Sequence, residues 1–124
     1  MAITLSSTLR NARADAITTN AGANAKLRIY TAAYAATLVD CVCSATLTPA
    51  ASGGVLTFNA ISAGTATGAG TAAIARLYKS DGTTMVIEGL TVGTSGQNVV
   101  LTNATIAVSD TVTITSAVIT EGNP

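Results

Sequence analysis

The sharpest chemical feature of the sequence is Cys41-Val42-Cys43. In an extended segment residues i and i+2 point to one face, so both thiols look the same way. A bond between them would be strained. Zinc would need further ligands, and the chain has neither a second cysteine pair nor any histidine. Three readings stand for the pair: small buried hydrophobes, an intersubunit disulfide, or a metal site. The lack of histidine also removes any Ser-His or Cys-His nucleophile and the commonest metal ligand. The carboxylates are Asp15, Asp40, Asp81, Glu88, Asp110 and Glu121. Asp81 and Asp110 have turn duties, Asp15 belongs to a helix surface, and no spacing nominates a glycosidase pair. Gly64 to Gly70 lacks the Lys and the following helix of a phosphate loop. Asn103-Ala104-Thr105 fits the N-glycosylation acceptor pattern but, with no secretion signal visible, reads as a plain turn asparagine. Tyr30, Tyr34 and Tyr78 suit either a sugar-stacking or interface patch, or the edge of a core. No catalytic, cofactor-binding or metal-ligating residue is nominated.

The elements that must position these residues are organised around Ala72 to Val92. Two apolar runs rich in β-branched residues flank Ser80-Asp81-Gly82-Thr83, and Asp-Gly between such runs signals a hairpin. A two-residue loop at Asp81-Gly82 sets Leu77 opposite Val86, Tyr78 opposite Met85 and Arg76 opposite Ile87. In that register Arg76 and Glu88 lie on opposite faces and do not pair. Neither face is cleanly polar, so protein should cover both.

Residues 6 to 21 read as one N-terminal helix, capped by Ser6 or Ser7 and stopped at Gly22, with Leu5, Leu9, Ala12, Ala16 and Ile17 near one face. That stripe is narrow and Ala-rich, so the helix needs a sheet or another subunit to lie on. Lys26 to Thr31 alternates, with Leu27 and Ile29 inward and Lys26, Arg28 and Tyr30 outward. It resembles Ile74 to Lys79, which suggests two equivalent strands. Thr37 to Thr48 is a long strand candidate closed by Pro49, and Val55 to Ile61 alternates again. Ser62 to Gly70 reads as a flexible loop or glycine-rich bend. Strands follow at 98–102 and 105–108, and a half-buried strand places Val112, Ile114, Ser116 and Val118 inward. The count is about eight strands, which predicts an all-β chain: an antiparallel β-sandwich, jelly-roll-like or Ig-like, with one short N-terminal helix. All 124 residues fit a single domain, 1–124.

Charged residues make up only 10% of the chain, against about 25% in an average globular protein. A neutral, Thr- and Ala-rich chain is poorly protected against association, so a homo-oligomer or larger assembly is expected. Zero net charge argues against a nucleic-acid partner. No run is long enough for a membrane span and no signal peptide is visible, which points to synthesis in the cytoplasm. Leu5, Leu9, Ile17, Tyr30 and Tyr78 are the interface candidates.

Four segments, ITLSSTLRNARADAIT, KLRIYT, ARLYKSDGTTMVIEG and LTNATIAVSDTVTITSAVI, together resemble small structural proteins of tailed bacteriophages. The resemblance implies a non-enzymatic virion component without cofactors, acting as a capsid decoration or cement protein. A collar, tail or fibre subunit, or an adhesion module for host carbohydrate, is the alternative. Its implied partners are further copies of itself and other virion proteins such as the major capsid protein.

Overall fold

The computed structural model describes residues 6–120. Ser6 opens helix α1 (Ser7–Ala21): its hydroxyl oxygen accepts from the Leu9 N–H at 3.2 Å, and Gly22, at φ 73°, ends the helix. Both caps are as the sequence predicts. The buried face is rotated from the predicted one. Ala14 and Ala21 are buried and Ile17 packs half-buried on the core, whereas Leu9, Ala12 and Ala16 face outward. Polar tethers explain the rotation. Asn11 Oδ1 accepts from Gly54 N at 2.7 Å, Asp15 Oδ1 from Ala51 N at 2.8 Å, and the Thr18 and Thr48 hydroxyls meet at 2.6 Å. Asp15 therefore anchors the 48–54 loop instead of decorating the helix surface. Leu5 lies outside the described residues.

Eleven strands follow: β1 (Lys26–Tyr30), β2 (Thr37–Val42), β3 (Val55–Thr57), β4 (Gly64–Thr65), β5 (Gly70–Thr71), β6 (Ile74–Tyr78), β7 (Met85–Gly93), β8 (Val99–Leu101), β9 (Thr105–Ile106), β10 (Thr111–Val112) and β11 (Ile114–Thr120). Seven of them build one sheet in the order β2-β1-β6-β7-β8-β11-β3. The described residues are thus mostly β, a large curled mixed sheet with one α-helix. The β7–β8 pair is parallel, a departure from the all-antiparallel expectation. It is only two residue pairs long and is fastened by Asn98, whose Oδ1 accepts from the Thr91 N–H and hydroxyl at 3.1 and 3.0 Å.

The long strand expected at 37–48 ends at Val42, although Cys43 N still donates to Ala25 O at 2.7 Å. Ser62 to Gly70 is no flexible loop. It runs along the outer edge of β2, with Ser62 N on Val42 O and Thr67 N on Leu38 O, while β4 pairs β10 and β5 pairs β9. Glycine makes that approach possible: a Cβ on Gly64 or Gly68 would collide with the Asp40 or Thr37 carbonyl oxygen. The β2 edge is covered along this stretch as a result.

The core lies on the inner face. Leu27, Ile29, Leu38, Cys41, Ala75, Leu77, Leu90, Val99, Leu101 and Ala117 are buried there together. In β11 the expected alternation breaks after Ile114, where the register slips against β8. Ala117 is buried and Ser116 exposed, the reverse of the sequence expectation for Ser116.

The β6–β7 hairpin forms, with Tyr78 opposite Met85 as predicted. Its loop is longer than two residues. Lys79 N donates to Thr84 O and Gly82 N to Lys79 O, both at 2.9 Å, and Gly82 sits at φ 72°. Asp81 holds the turn by accepting from Thr83 N, Thr84 N and the Thr84 hydroxyl, which depresses its pKa, the Thr84 hydroxyl contributing most. Beyond the loop two bulges shift the register, so Leu77 faces Ile87 and Ala75 faces Leu90. The second bulge contains Gly89 at φ 81°. The first shift, at Val86, already sets Glu88 on the Arg76 side, and the two form an ion pair at 3.3 Å that the unbulged register forbids.

Candidate functional site

β1 and β6, the two segments of similar sequence, are antiparallel neighbours with Arg28 directly opposite Arg76. Their burial patterns are identical along all five positions. An approximate two-fold axis passes between the arginines and relates Arg28-Ile29-Tyr30 to Arg76-Leu77-Tyr78. Ile29 and Leu77 point into the core, and the arginines and tyrosines point out. β2 and β7 flank the pair symmetrically, so the outer face carries the row Asp40, Arg28, Arg76, Glu88 across four strands.

Two like charges side by side on a sheet repel. Two ion pairs and three ring contacts offset that repulsion. Arg28 donates twice to Asp40, from Nε at 2.6 Å and from Nη2 at 2.9 Å, a bidentate pair. This pairing is the main cause raising the Arg28 pKa above its ordinary range. Arg76 meets Glu88 more loosely. Aromatic rings then take up the remaining faces: Arg28 Cζ lies 4.6 Å from the Tyr78 ring centre, and Arg76 Cζ lies 3.8 Å from Tyr34 and 5.3 Å from Tyr30. Between the guanidiniums the Tyr30 and Tyr78 hydroxyls meet at 2.9 Å. Burial pushes the Tyr30 phenol up, and the hydrogen bond with Tyr30 holds Tyr78 below its usual value.

Tyr34 is placed by a strained loop. Ala33 and Tyr34 both sit at φ 57°, a left-handed conformation uncommon outside glycine. Thr31 holds the turn, accepting from Tyr34 N at 3.1 Å on its carbonyl and from Ala36 N at 2.9 Å on its hydroxyl. The result sets Tyr34 edge-on to Tyr30, with ring centres 5.0 Å apart at 83°. The Tyr34 hydroxyl accepts from Gly89 N at 2.8 Å, so the β7 bulge and the β1–β2 loop lock each other.

The three tyrosines therefore cluster. Tyr30 and Tyr78 are buried with their hydroxyls turned on each other, and Tyr34 alone is half-exposed. Of the interface candidates, Leu9 is 47% exposed on α1, Ile17 faces the core, and Tyr30 and Tyr78 form the floor of this cluster. Sequence reasoning missed the roles of Tyr34, Asp40 and Glu88. The Arg-x-Tyr repeat was the signal for the pairing of the strands; nothing local announces the bulge that brings in Glu88.

Cys41 and Cys43 lie elsewhere, buried in the core as free thiols. Burial raises their pKa values to about 11 and about 12. That placement matches the small-hydrophobe reading of the pair. Among the described residues no group of three or more His, Cys, Asp or Glu converges as a metal site. Asp110 and Asn103 have turn roles, accepting from Ala107 N at 2.8 Å and Thr105 N at 3.0 Å. No helix among the described residues is long and apolar enough to cross a membrane. In comparisons with family models, curated proteins and solved structures, the chain matches none of them.

Proposed function

We propose that this chain is a non-enzymatic structural subunit of a tailed-bacteriophage particle, a decoration or cement protein that buries surface across capsomer contacts. The carrying observation is the outer surface itself. Leu9, Val42, Met85 and Val108 are 40% to 59% exposed in a chain with only six basic and six acidic residues. On α1 the outward Ala12 and Ala16 line an open groove of about 580 Å³ with Asp15, Thr19, Asn20 and Lys79. Such a surface suits coverage by neighbouring subunits better than free solution. The curled sheet with its covered edge is compatible with a β-sandwich or half-barrel, in line with the sandwich expected from the strand spacing.

The test measures the copy number of the chain against the major capsid protein in purified particles, for wild type and Leu9→Glu. Because Leu9 is exposed, the variant should fold with stability within about 0.5 kcal/mol of wild type. It should nevertheless incorporate poorly. Particles without a fixed stoichiometry of the chain would refute the subunit reading. Full incorporation of Leu9→Glu would remove α1 from the contact.

A second reading, an adhesion module for host carbohydrate within a collar, tail or fibre, draws on the half-exposed Tyr34 beside Arg76, with Tyr30 and Tyr78 buried beneath it.

A further inference from the structure

We infer that the outer face of β2-β1-β6-β7, centred on Tyr34, Arg76 and Glu88, is a binding site for a neutral oligosaccharide. The inference rests on the adhesion reading and specifies its site and ligand class. Four observations carry it. First, the row Asp40-Arg28-Arg76-Glu88 reads acceptor, donor, donor, acceptor and is electrically balanced. A balanced row offers little to phosphate or nucleic acid, whose binding draws on uncompensated positive charge. A polyol matches it, because every hydroxyl can both donate and accept. At a strand spacing of about 4.8 Å the row is roughly 14 Å long, the scale of an extended ligand and not of a single ion.

Second, the outer carboxylate atoms are accessible. The side chains of Asp40 and Glu88 are 37% and 52% exposed, and Glu88 touches Arg76 through Oε2, leaving Oε1 to accept a ligand hydroxyl. Third, Tyr34 is half-exposed beside them, and its hydroxyl accepts from Gly89 N without donating to any protein group among the described residues. Its exposed ring edge and free O–H, next to fixed carboxylates, can meet both the C–H groups and the hydroxyls of a sugar, while Arg76 covers one ring face. Fourth, the arrangement is preorganised at a cost. Two consecutive non-glycine residues are held left-handed to place Tyr34, and such strain concentrates at ligand clamps. A rigid site loses less entropy on binding, which matters for a weakly bound, hydrated ligand.

The experiment uses the intact chain and a panel of neutral tri- and tetrasaccharides built from glucose, galactose or mannose, with their sialylated counterparts. Binding is followed by NMR chemical-shift changes and by calorimetry. At least one neutral oligosaccharide should bind at millimolar concentration and shift signals of Tyr34, Arg76 and Glu88. Tyr34→Ala should weaken binding about tenfold or more, the effect of losing one good contact. Because Tyr34→Ala also unlocks the loop from the bulge, Glu88→Gln is the second variant. It keeps the shape, removes the acceptor charge, and should weaken binding several-fold with unchanged thermal unfolding. No perturbation at this face by any neutral sugar would overturn the inference. So would binding that both variants leave intact, or tighter binding of the sialylated forms here. Incorporation into particles, measured in parallel, separates the two readings. A chain present in particles but blind to sugars loses this site and keeps its structural role; a sugar-binding chain absent from particles does the opposite.

Discussion

Arg28-Ile29-Tyr30 and Arg76-Leu77-Tyr78 are nearly the same sequence on adjacent strands, with the same burial, yet their surroundings differ. On the β1 side the ladder to β2 is regular at Arg28, Asp40 stands directly opposite, and the arginine is gripped twice. On the β6 side the ladder to β7 is bulged, Glu88 arrives off-register, and its ion pair is longer and more exposed. Tyr34 fills what the bulge opens, stacking on Arg76 and capping Gly89 N. A regular register produces a closed pair. A bulge produces an open one, with an accessible carboxylate and aromatic ring, and so the candidate site lies on that side.

The comparison can be strained at several strengths. The largest effect belongs to the shared inward residues. Ile29→Ala and Leu77→Ala should each cost about 2–5 kcal/mol, since both side chains are fully buried. Chemical denaturation should find the two within about 1 kcal/mol of each other. A much cheaper Leu77→Ala would mean that the bulged half packs less tightly and that the symmetry is superficial.

Next come the glycines that exist only on the β6–β7 side. Gly82→Val should destabilise by more than about 1 kcal/mol, because φ 72° is strained for a β-branched residue. A Cβ there meets no close backbone atom, the Arg28 guanidinium lying nearest at 3.4 Å, so the cost is conformational. Unchanged thermal unfolding would remove this turn from the account of the hairpin.

The hydroxyl pair on the axis should contribute about 1 kcal/mol, lost in either Tyr30→Phe or Tyr78→Phe. Its titration is more informative. With Tyr78 held below and Tyr30 above the ordinary phenol value near 10, the rise in phenolate absorbance should include steps on both sides of that pH. The signs are opposite. The Tyr30 contribution is present below about pH 10 and is lost as pH rises through its folded value; the Tyr78 contribution is present above about pH 10 and is lost as pH falls through its folded value. Tyr30→Phe and Tyr78→Phe should each remove the split, because either leaves the remaining phenol without its hydroxyl partner, and a wild-type titration that neither substitution alters would show that the two hydroxyls do not interact.

The smallest effects separate the two ion pairs. Both have a carboxylate more than a third exposed, so solvent screens them. A double-mutant cycle should give up to about 1 kcal/mol for Arg28–Asp40 and a clearly smaller coupling for Arg76–Glu88. Equal couplings would erase the distinction between the closed and the open pair.

Local rules were sufficient for much of the molecule. The helix ends follow from Ser6 and Gly22, the hairpin from Asp81-Gly82, and the inward set of β1 from the alternation of Leu27 and Ile29, because caps, turns and period-2 burial depend on neighbours in the chain. The same rules misplaced what depends on contacts far along it. The face of α1 was set by Thr48, Ala51 and Gly54, and the order of 62–70 by the carbonyls of β2.

The candidate site divides in the same way. By itself the sequence determined that Arg28 and Tyr30 share a face, and Arg76 and Tyr78 another, since i and i+2 coincide on any strand. Tertiary structure alone decided that those faces are one face. It also decided that Glu88 joins them through a bulge at Val86 and that Tyr34 is held over Arg76 by a left-handed turn with no glycine to announce it. A bulge changes register by one residue at a place where propensity is nearly indifferent, so its position is fixed by the packing of both strands at once and is not written in either.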